Sequence, residues 1–353
     1  MRLDNALYLE DVQNAAACGL DYAKLKGAGI AVSGATGMIG TFLTDVIMYM
    51  NRRQQLDCTV YALGRSPEKA QKRFAEYMGD KNFRFIQADV NREVPDCGAQ
   101  LDYIIHAASN THPVAYATDP IGTITANVTG LHNMLKMAKR SGSKRFLFVS
   151  SVEIYGENRG DTQRFSEDYL GYIDCNTLRA GYPESKRTGE ALCQAYRKQE
   201  GLDIVIPRLA RTYGPTMLES DTKAISQFIK KGVKREDLIL KSEGTQLYSY
   251  TYAADAVTGL LTCLLCGQDG EAYNIAEQHS DVRLKDLAGM ICAYAGTELR
   301  FELPDAVEAA GYSKATIAVM NGDKLAALGW TPRYTIQTGI VRTIQILENT
   351  AWQ

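Results

Sequence analysis

Three glycines in one short turn constrain the fold of this chain more than any other feature. They follow an apolar run at Gly29–Ser33 and open a stretch with helical periodicity at Met38–Met50. Glycines at this place let the backbone turn tightly and approach a phosphate group, while the helix N-terminus offers free N–H groups to the same anion. The pattern therefore predicts a dinucleotide site after the first strand. Its predicted members are Gly34, Thr36, Gly37, Met38, Ile39 and Gly40.

Strand-like and helix-like patterns alternate along the chain beyond this turn. The predicted strands are Gly29–Ser33, Thr59–Leu63, Phe83–Gln87, Tyr103–His106, Arg145–Ser150 and Asp203–Arg208. Helical periodicity fills the gaps between them, as at Thr123–Arg140 and Pro183–Gln199. Alternation of this kind is typical of a parallel sheet covered by helices on both faces. We therefore predict an α/β fold with a Rossmann-type, doubly wound parallel sheet.

The same patterns predict how the chain is divided. Residues 1–28 form a helical extension that packs either on the rest of the chain or on a partner subunit. Residues 29–212 form the dinucleotide-binding Rossmann domain, and residues 213–353 form a smaller, C-terminal substrate-binding lobe. Within that lobe, the segment 247–266 begins with a strand-like stretch and is predicted to return to the Rossmann domain.

Composition excludes several classes of function. The formal net charge is −2, so the chain lacks the basic footprint of a nucleic-acid-binding protein. No apolar run approaches the roughly 18 residues of a membrane span, and the N-terminus does not resemble a secretory signal. Eight cysteines in a chain of this length suggest reduced thiols, hence a cytoplasmic location, and the four histidines are too scattered to predict a metal site.

The end of the second strand bears on the choice of cofactor. An acidic residue there would accept hydrogen bonds from the ribose hydroxyls of NAD, but the sequence reads Gly64-Arg65-Ser66. Arg65 is suited to a 2′-phosphate, so NADP is slightly favoured over NAD. Alternatively, Ser66 only caps the next helix and Arg65 is solvated. Further cofactor contacts are predicted at the ends of later strands, at Asp89, Val90, Ala107, Ala108, Ser109 and Ser150.

Tyr182 and Lys186 are the strongest candidates for catalysis. Their spacing of four residues on a predicted helix places them on one face. A neighbouring ammonium group lowers the pKa of a tyrosine, which then accepts a proton from a substrate hydroxyl while the adjacent carbon gives hydride to the nicotinamide. Both residues are also predicted to contact the cofactor. Ser151, at the end of the fifth strand, is predicted to bind the same hydroxyl.

With these motifs in place, the chain from Gly29 to Trp330 resembles the extended short-chain dehydrogenases, or NAD-dependent epimerase/dehydratase family. Within that family it is most similar to UDP-glucuronate decarboxylases. The stretches that carry the likeness are His106-Ala-Ala-Ser-Asn-Thr-His-Pro, Asp119-Pro-Ile-Gly-Thr-Ile-Thr-Ala-Asn127, Ser151-Val-Glu-Ile-Tyr-Gly156, Lys186-Arg-Thr-Gly-Glu190 and Tyr196-Arg-Lys-Gln-Glu-Gly201.

The resemblance implies roles for several residues. Ser151, Tyr182 and Lys186 match the catalytic triad of the family, and Asn127 matches an asparagine near the cofactor. Glu153 stands where decarboxylases and 4,6-dehydratases carry a working glutamate, although a solvated residue beyond a strand end is the alternative. The resemblance also implies a homodimer, with Pro183–Gln199 in its interface.

Departures from the family pattern affect the substrate. Val152 replaces an aspartic acid that 4,6-dehydratases use to protonate the departing hydroxyl, so dehydration by that route is disfavoured. Arg211 replaces an asparagine, and Thr216 replaces an arginine of the decarboxylases. Tyr248 replaces an arginine that grips the substrate diphosphate, and Arg211 is either its substitute for anion binding or a structural ion-pair partner. The predicted substrate contacts are Ser109, Ser151, Arg211 and Tyr248.

These observations favour an enzyme that oxidises the C4 hydroxyl of a nucleotide sugar and regenerates its cofactor. Decarboxylation leads among its reactions, before 4-epimerisation and 4,6-dehydration. The alternatives are an NADPH-dependent reductase of a keto-sugar or other carbonyl, and a non-catalytic dinucleotide sensor on the same fold.

Overall fold

The computed structural model describes residues 2–111, 116, 118–302 and 316–350. Its helices are α1 (Ala6–Ala16), α2 (Met38–Gln54), α3 (Pro67–Arg73), α4 (Pro120–Ser141), α5 (Gly181–Glu200), α6 (Ala224–Lys234), α7 (Ala253–Cys266), α8 (Leu284–Ala295), α9 (Asp323–Ala326) and α10 (Ile336–Glu348). Its strands are β1 (Gly29–Ser33), β2 (Thr59–Gly64), β3 (Phe83–Gln87), β4 (Tyr103–His106), β5 (Arg145–Phe148), β6 (Ser150–Ser151), β7 (Ile204–Leu209), β8 (Arg211–Tyr213), β9 (Leu238–Leu240), β10 (Leu247–Tyr252), β11 (Ala272–Ile275), β12 (Asp281–Arg283), β13 (Leu299–Phe301) and β14 (Ile317–Ala318).

The main sheet is parallel throughout and has the order β11-β7-β5-β4-β1-β2-β3, with β6 paired beside β7. The strand order reverses between β1 and β4. The carboxyl ends of these two strands, at Ser33 and His106, lie side by side. Ligands of doubly wound sheets bind in the crevice beyond such a reversal. The predicted fold class is therefore confirmed, and the position of the site follows from it.

Both faces of this sheet are buried, as the near-continuous apolar strands require. Along β1, Ile30 and Val32 belong to one core cluster and Ala31 to the other, because successive side chains point to opposite faces. Helices α4 and α5 pack against each other on the side of Ala31, where Leu131 is fully buried. Helices α2 and α7 contact each other on the opposite side.

A second, smaller sheet changes one prediction. The stretch Leu247–Tyr252 does form a strand, but β10 pairs with β12, β14 and β8 in this separate sheet. The strand that returns to the main sheet is Ala272–Ile275, which pairs with β7. Within the segment 247–266, the helical part, α7, packs on the main sheet. The prediction was wrong for the strand because an apolar pattern identifies a strand but not its neighbour.

The N-terminal extension is helical, as predicted, and α1 packs on α2, α7 and α10 of its own chain. Tyr8 is fully buried and donates a hydrogen bond to Asp45 of α2 at 2.5 Å. Asp11, also fully buried, accepts hydrogen bonds from Tyr252 at 2.5 Å and from Arg342 of α10 at 2.8 Å. These polar contacts fix α1 to both lobes. No helix in the described ranges has the length and hydrophobicity of a membrane span.

Candidate active site

The glycine turn has the geometry that a bound dinucleotide needs. Gly34 has a φ of +71°, and a Cβ on it would lie 2.8 Å from the nitrogen of Ala108. A Cβ on Gly40 would lie 2.6 Å from the Cα of Ala35, so α2 approaches the turn closely only because this residue is glycine. Gly37 caps α2 without a side-chain hydrogen bond, which leaves the first N–H groups of the helix for a ligand. These residues fit a pyrophosphate.

The end of β2 lies beside this turn. A Cβ on Gly64 would lie 3.9 Å from the methyl group of Thr36. Ser66 caps α3 by accepting a hydrogen bond from the backbone of Lys69 at 3.1 Å, so its predicted alternative role as a cap is correct. Arg65 is exposed, and its guanidinium has no partner among the residues that the structure describes. A cation is thus available where the adenosine ribose of a dinucleotide is expected.

The ends of β3 and β4 complete the predicted cofactor groove. Asp89 accepts a hydrogen bond from the backbone of Asn91 at 3.0 Å, which shapes the turn after β3, and the carbonyl of Val90 is bonded to Asn133 of α4 at 2.9 Å. The backbone of Ala107 and Ala108 lies against Gly34. These small residues keep the switch point open. The hydroxyl of Ser109, further along, donates to the carbonyl of Asn110 at 3.1 Å.

Tyr182, Ser151 and Lys186 converge at the carboxyl edge of the sheet. Tyr182 is buried at the start of α5 and hydrogen-bonds the hydroxyl of Ser151, which ends β6. Lys186 lies one turn further along α5, with its ammonium 6.0 Å from the centre of the Tyr182 ring. The ammonium donates to the carbonyl of Val149 at 2.8 Å. The predicted spacing on one helix face is therefore present.

The pKa values of these groups differ from the prediction. Burial raises the pKa of Tyr182 to about 12, although the hydrogen bond from Ser151 opposes the shift. Lys186 does not lower the pKa of this phenol, because an amine with a pKa of about 7 is already neutral at the pH where the phenol titrates. Burial also lowers the pKa of Lys186 to about 7, so the amine is close to half protonated at neutral pH. The expected lowering of the tyrosine pKa by Lys186 is not found in the protein alone.

Residues beneath the tyrosine hold it in place. Asn127 of α4 is fully buried and donates to the hydroxyl of Ser185 at 2.9 Å, while Ser185 donates to the carbonyl of Tyr182 at 2.8 Å. The side-chain oxygen of Asn127 is buried without a partner. Ser150, a predicted cofactor contact, directs its hydroxyl to Glu190 at 2.6 Å. Its side chain therefore ties β6 to α5.

Glu153 lies between two arginines. The guanidinium of Arg179 donates to one of its carboxylate oxygens at 2.8 Å, and that of Arg211 lies 3.8 Å from the other. Arg211 also stacks on Tyr248, with its central carbon 3.5 Å from the ring centre. One nitrogen of each guanidinium, Nη1, is buried and has no hydrogen-bond partner in the described part of the chain. The structure thus brings the predicted residues Glu153, Arg211 and Tyr248 together beside Ser151.

Comparison with known proteins identifies the family. Residues 30–276 match the NAD dependent epimerase/dehydratase family. The chain is 32% identical to UDP-glucuronic acid decarboxylase 1 of Xenopus tropicalis, over 89% of this chain and 71% of that protein. It is 35% identical to UDP-glucuronic acid decarboxylase 3 of Arabidopsis thaliana, over 70% of this chain and 68% of that protein. The chain belongs to the NAD dependent epimerase/dehydratase family.

Solved structures of this fold give the same architecture. A dTDP-glucose 4,6-dehydratase of Streptomyces venezuelae, solved with NAD, superposes with a TM-score of 0.77 at 22% identity, covering 91% of this chain and 97% of that one. A UDP-glucuronic acid 4-epimerase of Bacillus cereus, also solved with NAD, gives 0.77 at 21% identity, covering 91% and 99%. Family membership confirms the prediction of an NAD-dependent enzyme of the extended short-chain dehydrogenase type.

Two residues of the site escaped prediction. Arg179 stands three positions before Tyr182, a spacing that puts it on the same face as the tyrosine, and this signal was available in the sequence. Tyr116 stacks on the Tyr182 ring, with 4.9 Å between the ring centres. The guanidinium carbon of Arg179 lies 4.8 Å from the centre of the Tyr116 ring. Nothing in the local sequence distinguishes Tyr116 from a core residue.

Two departures from the family pattern also have a structural account. Val152 is buried and belongs to the apolar core, so its side chain offers no proton to a substrate. Thr216 is buried and its hydroxyl donates to the carbonyl of Met38 at 2.9 Å. It therefore ties the C-terminal lobe to the first turn of α2.

Proposed function

We propose that this enzyme oxidises C4 of a uronic acid carried by a nucleotide, releases CO2, and reduces the product with the same cofactor molecule. The observation that carries the proposal is the hydrogen-bonded pair of Tyr182 and Ser151 beside Lys186, at the end of β6 and next to the glycine turn. The two decarboxylases described above support the choice of reaction. The buried Val152 supports it as well, because loss of CO2 needs no acid at that position.

Each residue of the triad has a distinct role in this reaction. Ser151 positions the C4 hydroxyl by hydrogen bonding, and Tyr182 takes its proton. Lys186 supplies or withdraws a proton near neutral pH, because burial holds its pKa at about 7. A nicotinamide dinucleotide held at the glycine turn of Gly34, Gly37 and Gly40 would supply the hydride acceptor for C4 and, later, the hydride donor.

The loss of CO2 follows from the chemistry of the oxidised sugar. A ketone at C4 lies beta to the carboxylate on C5, so the bond between C5 and the carboxylate carbon breaks and its electron pair moves onto the C4 oxygen. CO2 leaves, and C5 then takes a proton to restore the ketone. No external oxidant or reductant is consumed.

The decisive experiment is mass spectrometry of purified enzyme incubated with UDP-glucuronate, UDP-galacturonate, UDP-glucose and dTDP-glucose, without added cofactor. We expect a mass loss corresponding to CO2 from one uronate and no change in the neutral sugars. Interconversion of 4-epimers without mass loss would replace decarboxylation by epimerisation. An unchanged panel would contradict the proposal.

The preference for NADP belongs to the proposal as well. The exposed cation of Arg65, and the absence of a carboxylate in the segment 61–66, support it. The same feature favours the second candidate, a reductase that consumes NADPH to reduce a keto-sugar. Steady loss of NADPH absorbance on addition of substrate would support the reductase, whereas recycling of a bound cofactor excludes it.

We further propose a homodimer that pairs through α4 and α5, in the cytoplasm. Large apolar side chains are exposed where these helices begin: Ile121 is 75% exposed and Leu178 is 66% exposed. Ile124 lies beside them, 3.2 Å from the position of a Cβ on Gly181. A partner would cover this patch. Light scattering during size-exclusion chromatography should give twice the mass of the chain. Ile121→Glu should reduce the measured mass to that of a single chain.

A further inference from the structure

Arg211 reaches the site from the smaller sheet. It lies on β8, where it pairs with Tyr250 of β10, two residues beyond Tyr248. Its guanidinium lies flat on the Tyr248 ring, at 3.5 Å from the ring centre, so its orientation is fixed before any ligand arrives. The side chain is 22% exposed, so it is still accessible to a ligand.

The cluster around Arg211 carries an excess of positive charge. Arg179 and Arg211 supply two cations, and Glu153 supplies one anion that contacts both. The Nη1 atoms of both arginines are buried and have no hydrogen-bond partner among the residues that the structure describes. A buried charged donor without an acceptor is costly, so the arrangement is incomplete without a further anion. The described part of the chain provides none.

We propose that Arg211, together with Arg179, binds the carboxylate on C5 of the substrate sugar and so selects uronic acids over neutral hexoses. The inference rests on the proposed function, because it places the sugar C4 at Tyr182 and Ser151. The carbon that bears the carboxylate is bonded directly to C4, whereas the diphosphate is attached to C1 across the ring. Glu153 follows Ser151 by two residues, so the anion-binding edge of the cluster adjoins the reacting carbon.

An arginine in this position has a geometric advantage over a lysine. The planar guanidinium offers two parallel N–H groups that match the two oxygens of a carboxylate. The Tyr248 ring holds the guanidinium of Arg211 in place, and Glu153 contacts one of its nitrogens, Nη2. Arg211 is therefore a specificity-determining residue on the smaller sheet, whereas the catalytic tyrosine lies on α5.

The test is isothermal titration calorimetry with UDP-glucuronate, UDP-glucose and UDP, in a Tyr182→Phe background that prevents turnover. Unsubstituted at Arg211, the protein should bind UDP-glucuronate more tightly than UDP-glucose. Arg211→Gln should weaken the binding of UDP-glucuronate by roughly ten- to a hundredfold and leave the affinities for UDP-glucose and UDP unchanged. Arg211→Lys, which keeps the charge and guards against misfolding, should lose affinity for UDP-glucuronate to a smaller extent.

The matched control is Arg159→Gln. Arg159 also stacks on a tyrosine, Tyr172, at 4.7 Å, but it is exposed and makes no contact with Glu153 in the described structure. It should leave all three affinities unchanged.

Four outcomes would overturn the assignment in different ways. Equal weakening of all three ligands by Arg211→Gln would assign Arg211 to the diphosphate. Unchanged affinities in both Arg211 variants would make it a structural ion-pair partner. Equal binding of UDP-glucose and UDP-glucuronate before substitution would end the selectivity claim alone, whereas no binding of any ligand would also end the proposed function.

Discussion

Arg179 donates a hydrogen bond to Glu153 at 2.8 Å, and this contact joins the turn before the catalytic helix to the loop after β6. Both residues are close in sequence to the catalytic triad: Arg179 precedes Tyr182, and Glu153 follows Ser151. A substrate carboxylate that reaches the arginines meets the negative charge of Glu153 at the same place. Repulsion there favours departure of the carboxylate as CO2.

Glu153→Gln should therefore lower both KM and kcat for a uronate substrate. Without the competing charge the arginines bind the carboxylate more tightly, and the ground state becomes too stable for rapid loss of CO2. We expect a fall in kcat of about tenfold or more, measured by release of CO2 at saturating substrate. Glu157→Gln, in the same loop but exposed, is the control. An unchanged kcat would leave Glu153 as an ion-pair partner only.

Tyr182→Phe should reduce turnover by about 10² to 10⁴, because the C4 hydroxyl loses its proton acceptor. The ring remains, so its stacking on Tyr116 at 4.9 Å is preserved and the melting temperature should stay close to that of the wild type. Product formation is followed by mass spectrometry. Normal turnover in this variant would exclude the mechanism.

Lys186→Met should alter stability in a way that depends on pH. The folded pKa of Lys186 is lowered to about 7 from an ordinary value of 10.5, so below pH 7 the fold carries the full cost of a buried charge. Between pH 7 and 10 the unfolded state binds more protons, and the wild type gains stability as pH rises. Any stability advantage of Lys186→Met over the wild type at pH 6.5 should shrink by pH 9, measured by thermal unfolding. Lys198→Met, exposed on the same helix, should show no such trend.

Arg65→Gln should weaken the binding of NADP by roughly tenfold and leave the affinity for NAD unchanged, because only NADP offers a 2′-phosphate to the guanidinium. Equilibrium dialysis of protein freed from cofactor gives both dissociation constants. Arg53→Gln, which removes an exposed arginine from the far end of α2, is the control. Tighter binding of NAD than NADP by the wild type would contradict the preference.

Asp11→Asn should destabilise the fold by about 3 kcal/mol, because it leaves the guanidinium of Arg342 without its buried anion. Urea denaturation measures the change. Asp57→Asn removes an exposed ion pair with Lys81 and should cost about 1 kcal/mol or less. Equal effects of the two substitutions would show that the N-terminal helix contributes little to stability.

The sequence predicted those parts of the molecule that depend on local pattern. The glycine turn, the alternating elements and the spacing of Tyr182 and Lys186 all follow from periods of a few residues. The partner of β10 did not follow, because pairing is decided by packing between distant segments. The contact between Glu153 and Arg211 joins the segment after β6 to a strand of the smaller sheet, 58 positions further along the chain. The pKa of Tyr182 depends on burial that no local pattern records.

The contact between Asp11 and Arg342 also has a consequence for biosynthesis. The first helix of the chain cannot complete this ion pair until residue 342 has left the ribosome, although its contact with Asp45 is available much earlier. Folding during synthesis therefore leaves the ion pair of Asp11 and Arg342 unmade while the Rossmann strands assemble, although the hydrogen bond from Tyr252 to Asp11 is available earlier. Closure of the N-terminal helix onto α10 is then one of the last events, and a ribosome stalled before residue 342 should yield a chain whose first helix is sensitive to protease.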